Sequence, residues 1–377
     1  MDIILLPIAA LVLCAGLHLI GLDVFPRLRL LDRPGKYGLR RPPLPYPTGI
    51  FAILLFVSFF ALLTPRTAQT AGILLGISLL ALISFIDDRR GLPPSFRLAV
   101  QACAAFVLFA TGTRIYTLTN PLEGWLGMGP IIPLDTIDVF LPLPASRFPL
   151  PAFLGPLPFW SGAFTLFWLL LTINALNWFD GIPGQVSLLS FIGFCVIGLL
   201  ALSARVRQPD LALLSFILAG IAGSCLLFDF PPARVVMGDT GSMFFGLMLG
   251  ILTIMSGGKV ATAFLVLGVP LIDAGIVVMR RMGKRASLFR GNARDEHLHH
   301  RLLAKGWTQR RIIALTALLG TSFGVTALFL STKGKFAAAI LLSAVMLVLS
   351  RYSNAASGQP FDTTQDRREA GSYKNAL

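Results

Sequence analysis

The sequence predicts an all-α integral membrane protein with about eleven transmembrane helices. Of its 377 residues, 55% are hydrophobic and only 13% are charged. Apolar runs of about the length that crosses a bilayer recur along most of the chain. The Lys and Arg residues collect mainly in alternate connecting segments. These three observations exclude a soluble globular fold.

The apolar runs define the predicted helices in chain order. Several have only about 16 residues, so flanking residues must extend them or the bilayer must be thin. No small-residue cleavage signature follows the first run, which predicts a retained span rather than a signal peptide. Together the runs predict one membrane domain over residues 1–350. They lie at 3–22, 48–64, 71–86, 98–113, 159–177, 186–204, 211–228, 241–256, 260–279, 311–331 and 335–350.

The distribution of positive charge predicts the orientation. With the N-terminus outside, 24 of the 32 Lys and Arg residues fall in segments on the inner side of the membrane. This bias follows the positive-inside rule, and an odd number of spans then gives a cytoplasmic C-terminus. We therefore expect a multi-pass protein of the cytoplasmic membrane. Membrane-flanking residues near anionic lipids explain most of the net charge of +14, so the charge does not indicate a nucleic-acid partner.

Three segments outside the spans carry separate expectations. Residues 114–158 form the longest external loop, a candidate re-entrant or interfacial segment to which we assign no chemistry. Residues 280–311 form a basic cytoplasmic loop with three of the four histidines. Residues 351–377 are polar and predict a disordered cytoplasmic tail.

The four cysteines all lie in apolar runs without zinc spacing, which predicts buried free thiols.

The stretch Phe228–Ser242, FDFPPARVVMGDTGS, contains the first candidate site. Gly238 lets backbone N–H groups approach an oxygen-rich ligand, and the following helix N-terminus favours phosphate. Asp239 would face that phosphate only through a cation, and Mg²⁺ takes such ligands. The simpler interpretation of this stretch alone is a Gly-Asp turn that caps a helix.

A pair of carboxylates, Asp87 and Asp88, ends the third apolar run and precedes two arginines. Paired carboxylates at a membrane edge are costly unless they are solvated, paired or bound to a metal. A metal-binding pair and an ordinary helix-end charge cluster are equally consistent with this pattern.

A third motif runs from Asn174 through Asn177 to Asp180 and Gly181. The two asparagines are three residues apart, so their amides share one helical face, and Asp180 extends that face by one turn. Interhelical hydrogen bonding is the alternative, but two amides and a carboxylate at one helix end favour a binding site.

Two basic segments complete the cytoplasmic set. Lys36 lies in a proline-rich basic loop that either anchors two helices or binds a substrate phosphate. The second segment, called the histidine segment below, contains His297, His299, His300 and Arg301. We expect its imidazoles and its guanidinium to bind a diphosphate. An irregular zinc site and a solvated loop are the alternatives. The predicted cytoplasmic face therefore combines carboxylates, amides, glycines and histidines. This combination indicates metal-assisted chemistry on a phosphorylated substrate at the membrane surface.

Taken in their order along the chain, the motifs resemble the polyprenyl-phosphate N-acetylhexosamine-1-phosphate transferases, of the glycosyltransferase family 4 type. The likeness covers roughly residues 23 to 310. The H-x-H-H-R form at 297–301 is similar to the branch that uses GlcNAc-1-phosphate and undecaprenyl phosphate. The family likeness rests on four motifs: the aspartate pair at 87–88, N-x-x-N-x-x-D-G at 174–181, P-x-A-x-x-x-M-G-D-x-G-S at 231–242 and H-x-H-H at 297–300. It is extended by Arg97, Gln101, Pro270, Asp273, Arg280 and Arg281.

The resemblance implies a reaction in which a polyprenyl phosphate attacks the sugar-bearing phosphorus of a UDP-sugar and UMP leaves. Mg²⁺, with Mn²⁺ as a substitute, would bind Asp239 together with Asp180 or Asp87. The family often gives Asp88 the role of base. A phosphate monoester with a second pKa of about 6 is already mostly ionised at neutral pH, so proton removal is not required.

Four departures from the family pattern fall mainly where it is expected to bind uracil. Pro183 replaces the last acid of the asparagine motif, and Val236 replaces an aromatic residue. Asp229, a predicted substrate-binding residue, replaces an asparagine, and the proline loop reads PLPYPTG without the usual Arg and second Gly. We expect weaker or altered uridine binding beside intact phosphate-binding motifs.

The sequence is also compatible with other functions. One is a phospho-MurNAc-pentapeptide transferase, although that branch usually has consecutive histidines. Others are a catalytically dead scaffold that binds lipid phosphate and a transporter, which would place its ionisable residues at mid-membrane. Family members often dimerise, so a homodimer is a further alternative.

Overall fold

The computed structural model describes residues 2–37, 41–120, 131–134, 157–204, 206–257, 260–283 and 296–354. Thirteen α-helices form within these ranges, and every predicted apolar run coincides with helix. In chain order they are α1 (Asp2–Arg27), α2 (Gly49–Leu63), α3 (Ala68–Arg90), α4 (Pro94–Ala110), α5 (Phe159–Phe179), α6 (Gln185–Leu202), α7 (Pro209–Asp229), α8 (Gly238–Met255), α9 (Val260–Val266), α10 (Gly268–Gly283), α11 (Leu298–Ala304), α12 (Gln309–Phe329) and α13 (Thr332–Asn354).

Eight described helices are long and apolar enough to cross a membrane, or nine if the bent pair α9–α10 counts as one span. The helices α2 and α4 are also apolar but have 15 and 17 residues. Helices satisfy their backbone groups internally, which is what a chain in lipid requires. The structure therefore confirms an integral membrane protein built from α-helices, while the count of eleven spans stays a prediction.

The ninth apolar run differs from the expectation of one continuous span. It forms α9 and α10, which meet at an angle of 86°. Pro270 lies in the first turn of α10. Its ring lacks an N–H group and would clash with the carbonyl of Val266 if the helix continued, which accounts for the break.

Helix α8 forms the centre of the bundle, and nearly all of its residues are buried. It packs against α5, α3 and α2. At Gly246 a Cβ atom would come within 2.6 Å of the Thr172 carbonyl oxygen, so the backbones of α8 and α5 are in direct contact. This packing fixes the N-terminus of α8 against the ends of its neighbours.

The connecting segments contain three short elements. Residues Pro34–Tyr37 form a 3-10 helix, and β1 (Thr117–Thr119) pairs antiparallel with β2 (Ile131–Pro133). These strands are the described departure from an all-helical architecture, and they lie within the predicted external loop. Residues 121–130 and 135–156 of that loop, residues 284–295 of the basic loop and residues 355–377 of the tail lie outside the described residues.

Candidate active site

Carboxylates from three predicted motifs meet at one end of the bundle. Asp87 and Asp88 lie in the last turn of α3, Asp180 follows α5, and Asp239 lies in the first turn of α8. Their contacts with common partners show that the helix ends converge. The ordered set of motifs along the sequence is therefore also a cluster in space.

Arg97, in the first turns of α4, bridges two of these carboxylates. Its Nη1 donates to Asp239 Oδ2 at 2.8 Å and also to Asp87 Oδ2. Two carboxylate oxygens thus converge on one cationic nitrogen. In the sequence, Arg97 is recognisable only as one of the residues that extend the family likeness. Its position ten residues after Asp87 was the available signal, but that spacing alone does not show a contact with residue 239.

Asp88 has a different environment from Asp87. Its Oδ1 accepts from the Tyr46 hydroxyl at 2.5 Å and from the Asp239 N–H at 2.9 Å. Its Oδ2 accepts from the Thr240 N–H at 3.0 Å and from the Thr240 hydroxyl at 2.6 Å. The carboxylate therefore joins α3, the proline loop and α8.

The asparagines of α5 form interhelical hydrogen bonds. Asn174 Nδ2 donates to Gln101 Oε1 of α4 at 2.7 Å, and Asn177 Nδ2 donates to Ser242 Oγ of α8 at 3.2 Å. These contacts match the alternative interpretation of the motif as interhelical contacts. A substrate-binding role for the two amides stays a prediction.

Asp180 lies beside Ser242 at the same helix end. Burial, followed by the charge of Asp239 and other nearby carboxylates, raises the pKa of Asp180 well above its usual range. A cluster of carboxylates with this electrostatic strain gains from a bound cation or from protonation.

Two glycines permit close approaches within the site. Gly238 has a φ of +78°, and a Cβ atom there would come within 2.8 Å of Asp88 Oδ2. At Gly181 a Cβ atom would stand 2.0 Å from His299 Nε2. The histidine segment therefore docks directly on the end of α5, which joins the last predicted motif to the carboxylate cluster.

The three histidines of this segment differ in their roles. His297 Nδ1 lies 2.8 Å from Asp273 Oδ2, and Asp273 Oδ1 accepts from the Leu298 N–H at 3.0 Å, so this pair fixes the start of α11. The rings of His297 and His299 stack with centroids 5.7 Å apart, and those of His299 and His300 are 4.2 Å apart. The family likeness had named Asp273, but its support of His297 was not predicted.

His299 is buried, and neither ring nitrogen has a hydrogen-bond partner within the described part of the chain. Burial, with the positive charge of its neighbours, lowers the pKa of His299 well below the usual range. The ring is therefore neutral at physiological pH, with one donor and one acceptor available.

Arg301 is buried against α13. Its Nη1 donates to the Ser350 carbonyl oxygen at 3.1 Å and to the Ser350 hydroxyl at 3.3 Å. Burial lowers the pKa of Arg301 to about 10, so the guanidinium remains charged at neutral pH. These contacts tie α11 to α13, and the predicted contact with a diphosphate stays a prediction.

The departures from the family pattern form two pairs of neighbours: Asp229 lies next to the turn at 183–184, and Val236 lies next to the proline loop. Asp229 Oδ2 accepts from the Ser187 hydroxyl at 2.6 Å, and its Oδ1 has no partner among the described residues. A Cβ atom at Gly184, next to Pro183, would lie 3.4 Å from the Asp229 carbonyl oxygen. The Val236 N–H donates to the Pro45 carbonyl oxygen at 3.0 Å.

The geometry allows a test of the predicted metal site. No group of three or more His, Cys, Asp or Glu side chains within the described ranges has a metal-binding arrangement. Asp87 and Asp239 nevertheless direct one oxygen each to a single cationic atom, and Mg²⁺ commonly uses one or two carboxylates with water and phosphate oxygens. Two carboxylates therefore fit this ion better than they fit a closed zinc site. Lys36 lies in the 3-10 helix, and the position of its side chain lies outside the described part of the structure.

These features define a multi-pass helical membrane protein with an acidic site at the joined ends of its helices. The family model for glycosyl transferase family 4 matches residues 70–257, from α3 to α8, and the chain belongs to this family. The matched range contains all four predicted catalytic aspartates and ends before the histidine segment.

Similar proteins have related names. The chain is 29% identical over 280 residues to a probable undecaprenyl-phosphate N-acetylglucosaminyl 1-phosphate transferase of Bacillus subtilis, covering 71% of this chain and 67% of that protein. It is 27% identical over 356 residues to a decaprenyl-phosphate N-acetylglucosaminephosphotransferase of Mycobacterium tuberculosis, covering 85% and 81%. A shorter match, 32% over 151 residues, is to a phospho-N-acetylmuramoyl-pentapeptide-transferase of Listeria welshimeri, covering 40% and 45%.

Proposed function

We propose that the protein transfers a sugar-1-phosphate from a nucleotide sugar to a polyprenyl phosphate at the membrane surface. Family membership and the names of the relatives support this reaction. The single structural observation that carries it is the convergence of Asp87 and Asp239 on one cationic position beside the N-terminus of α8. Such a site suits the charge of a diphosphate and of the phosphate that attacks it.

The reaction needs no net proton transfer. An oxygen of the polyprenyl phosphate attacks the sugar-bearing phosphorus, the bond from that phosphorus to the bridging oxygen breaks, and the nucleoside monophosphate leaves with the electron pair. A phosphate monoester is already mostly dianionic at neutral pH, since its second pKa is about 6. The protein contributes position and charge neutralisation, and Arg97 already supplies positive charge at this place.

We propose Mg²⁺ as the cofactor, held by Asp239 with Asp87 and with Asp180 nearby. When bound, it would neutralise negative charge on the carboxylates and the diphosphate. The raised pKa of Asp180 supports this assignment, because a cation would favour its ionised form. His299, which lies against Gly181, and the neighbouring His300 would bind the diphosphate.

The finer assignments are also part of this proposal. We infer UDP-GlcNAc as the donor, undecaprenyl phosphate as the acceptor, and eleven spans with the active site on the cytoplasmic side. The GlcNAc names of the Bacillus subtilis and Mycobacterium tuberculosis relatives support the donor, and the positive-inside bias supports the orientation. The unusual residues Pro183, Asp229 and Val236 support an altered nucleobase contact in this member of the family.

The deciding experiment measures UMP release by purified protein with undecaprenyl phosphate, Mg²⁺ and a panel of UDP-sugars. Release with UDP-GlcNAc is expected, and release only with UDP-MurNAc-pentapeptide would move the protein to the other branch. Competition by different nucleoside monophosphates tests the nucleobase contact. No release with any donor, from protein with an intact thermal transition, would favour the dead scaffold or the transporter.

A further inference from the structure

The first turn of α8 has no side-chain cap of its own. Met237 occupies the N-cap position, and no side chain at that position accepts from the helix. The first N–H groups of a helix have no acceptor inside it and need one from elsewhere. Asp88 of α3 supplies these acceptors, because its two oxygens receive the N–H groups of Asp239 and Thr240. A negative charge at this place also favours the helix dipole.

The remaining acceptor capacity of Asp88 is used by two hydroxyl groups. Tyr46 donates at 2.5 Å and the Thr240 side chain donates at 2.6 Å. An ionised carboxylate accepts about four hydrogen bonds, so these two and the two backbone bonds fill it. A proton from a substrate would reach Asp88 only if one of these bonds broke.

The neighbouring carboxylate Asp239 remains more available. It accepts from Arg97, and its side chain is 32% exposed. Asp87 accepts from the Leu92 N–H at 2.6 Å and from Arg97, and its side chain is only 7% exposed. The acid that can meet a substrate most directly is therefore Asp239, with Asp87 behind Arg97.

We propose that Asp88 is a positioning residue that caps α8 from outside and thereby directs Asp239 toward Arg97 and Asp87. The inference rests on the proposed function for its kinetic consequence, but the capping geometry is independent of it. Gly238 supports the arrangement, since its left-handed backbone and missing side chain let Asp88 reach the two N–H groups.

Removal of the side-chain donors distinguishes a positioning residue from a base. In Tyr46→Phe and Thr240→Val, Asp88 loses one donor each and becomes more basic. A base would then act equally well or better. A positioning residue would lose its fixed orientation, and we expect turnover to fall at least about fivefold in each variant, the scale of one lost hydrogen bond.

A second readout follows the cap itself. Hydrogen exchange at the Asp239 and Thr240 amides should accelerate about tenfold or more in Asp88→Asn, and to a smaller extent in the donor variants. The matched controls are Thr253→Val, on the same helix with its hydroxyl bonded to the Leu249 carbonyl oxygen, and Tyr116→Phe in the connecting segment after α4. Neither control should change turnover or the exchange of these two amides.

Two results would overturn the proposal. One is unchanged exchange at residues 239 and 240 in Asp88→Asn. The other is full turnover in Tyr46→Phe and Thr240→Val while Asp88→Asn is inactive, since a base would behave in this way. If the wild-type protein releases no nucleoside monophosphate, the proposed function fails, but the exchange measurement still tests the cap.

Discussion

Gly181→Ala tests whether the contact between α5 and the histidine segment is needed for activity. The new Cβ atom would stand 2.0 Å from His299 Nε2, whereas ordinary contact begins at about 3.4 Å. The ring must therefore move by about 1.4 Å. It has little room, because Phe179 meets it edge-on at 5.8 Å and His297 stacks on it at 5.7 Å. A displacement of about 1 Å in a catalytic site can cost about 100-fold in rate, and overpacking of this kind costs about 1–3 kcal/mol of stability.

The assay is release of nucleoside monophosphate by Gly181→Ala, with thermal unfolding measured in the same detergent. The control is Gly275→Ala on α10, where a Cβ atom meets nothing within 4 Å, and it should leave both quantities near their wild-type values. The double variant of Gly181→Ala with His299→Ala should be no less active than His299→Ala alone, because the clash is then absent. Wild-type turnover in Gly181→Ala would refute this account of the contact.

Three further predictions concern other parts of the site. Asp239→Asn should reduce Mg²⁺-dependent turnover below about a tenth while the protein still folds, and higher residual activity would contradict the metal role. Burial lowers the pKa of His299, so below about pH 6.5 only the unfolded state binds a proton at this residue. The free energy of unfolding should therefore fall by about 1 kcal/mol from pH 7 to 5.5. His299→Asn should flatten that slope in thermal unfolding, and an equal slope would contradict the assignment. Ser350→Ala should raise the KM for the nucleotide sugar by loosening Arg301, whereas Ser343→Ala on the same helix should not; equal KM values would exclude this coupling.

The helices were predictable because lipid leaves the backbone few alternatives. Their ends were harder to place. The third apolar run stops at residue 86, yet α3 continues to Arg90, since Asp88 and Asp87 find partners that an isolated helix end lacks. The bend at Leu267 was also not predicted, although Pro270 carried its signal. Periodic hydrophobicity measures burial, and it does not report where a hydrogen-bond ladder is interrupted.

The site was predicted as a set of motifs, but its internal contacts were not. Nothing in the local sequence shows that Arg97 binds Asp239, 142 residues away, or that Asp88 caps α8. Such contacts depend on how helix ends meet after packing. The structure is compatible with both interpretations of the GDTGS turn, as a helix start and as a site. The same turn begins α8 and presents Asp239.

The contact between Arg301 and Ser350 has a consequence for the synthesis of this protein. Ser350 lies near the end of α13, so its partner Arg301 remains without these hydrogen bonds until α13 has entered the membrane. The carboxylates come from α3, α5 and α8, which the ribosome delivers much earlier. We expect the histidine segment to become ordered after the carboxylate cluster has formed. A chain arrested before α13 would then carry the carboxylate cluster without an ordered histidine segment beside it.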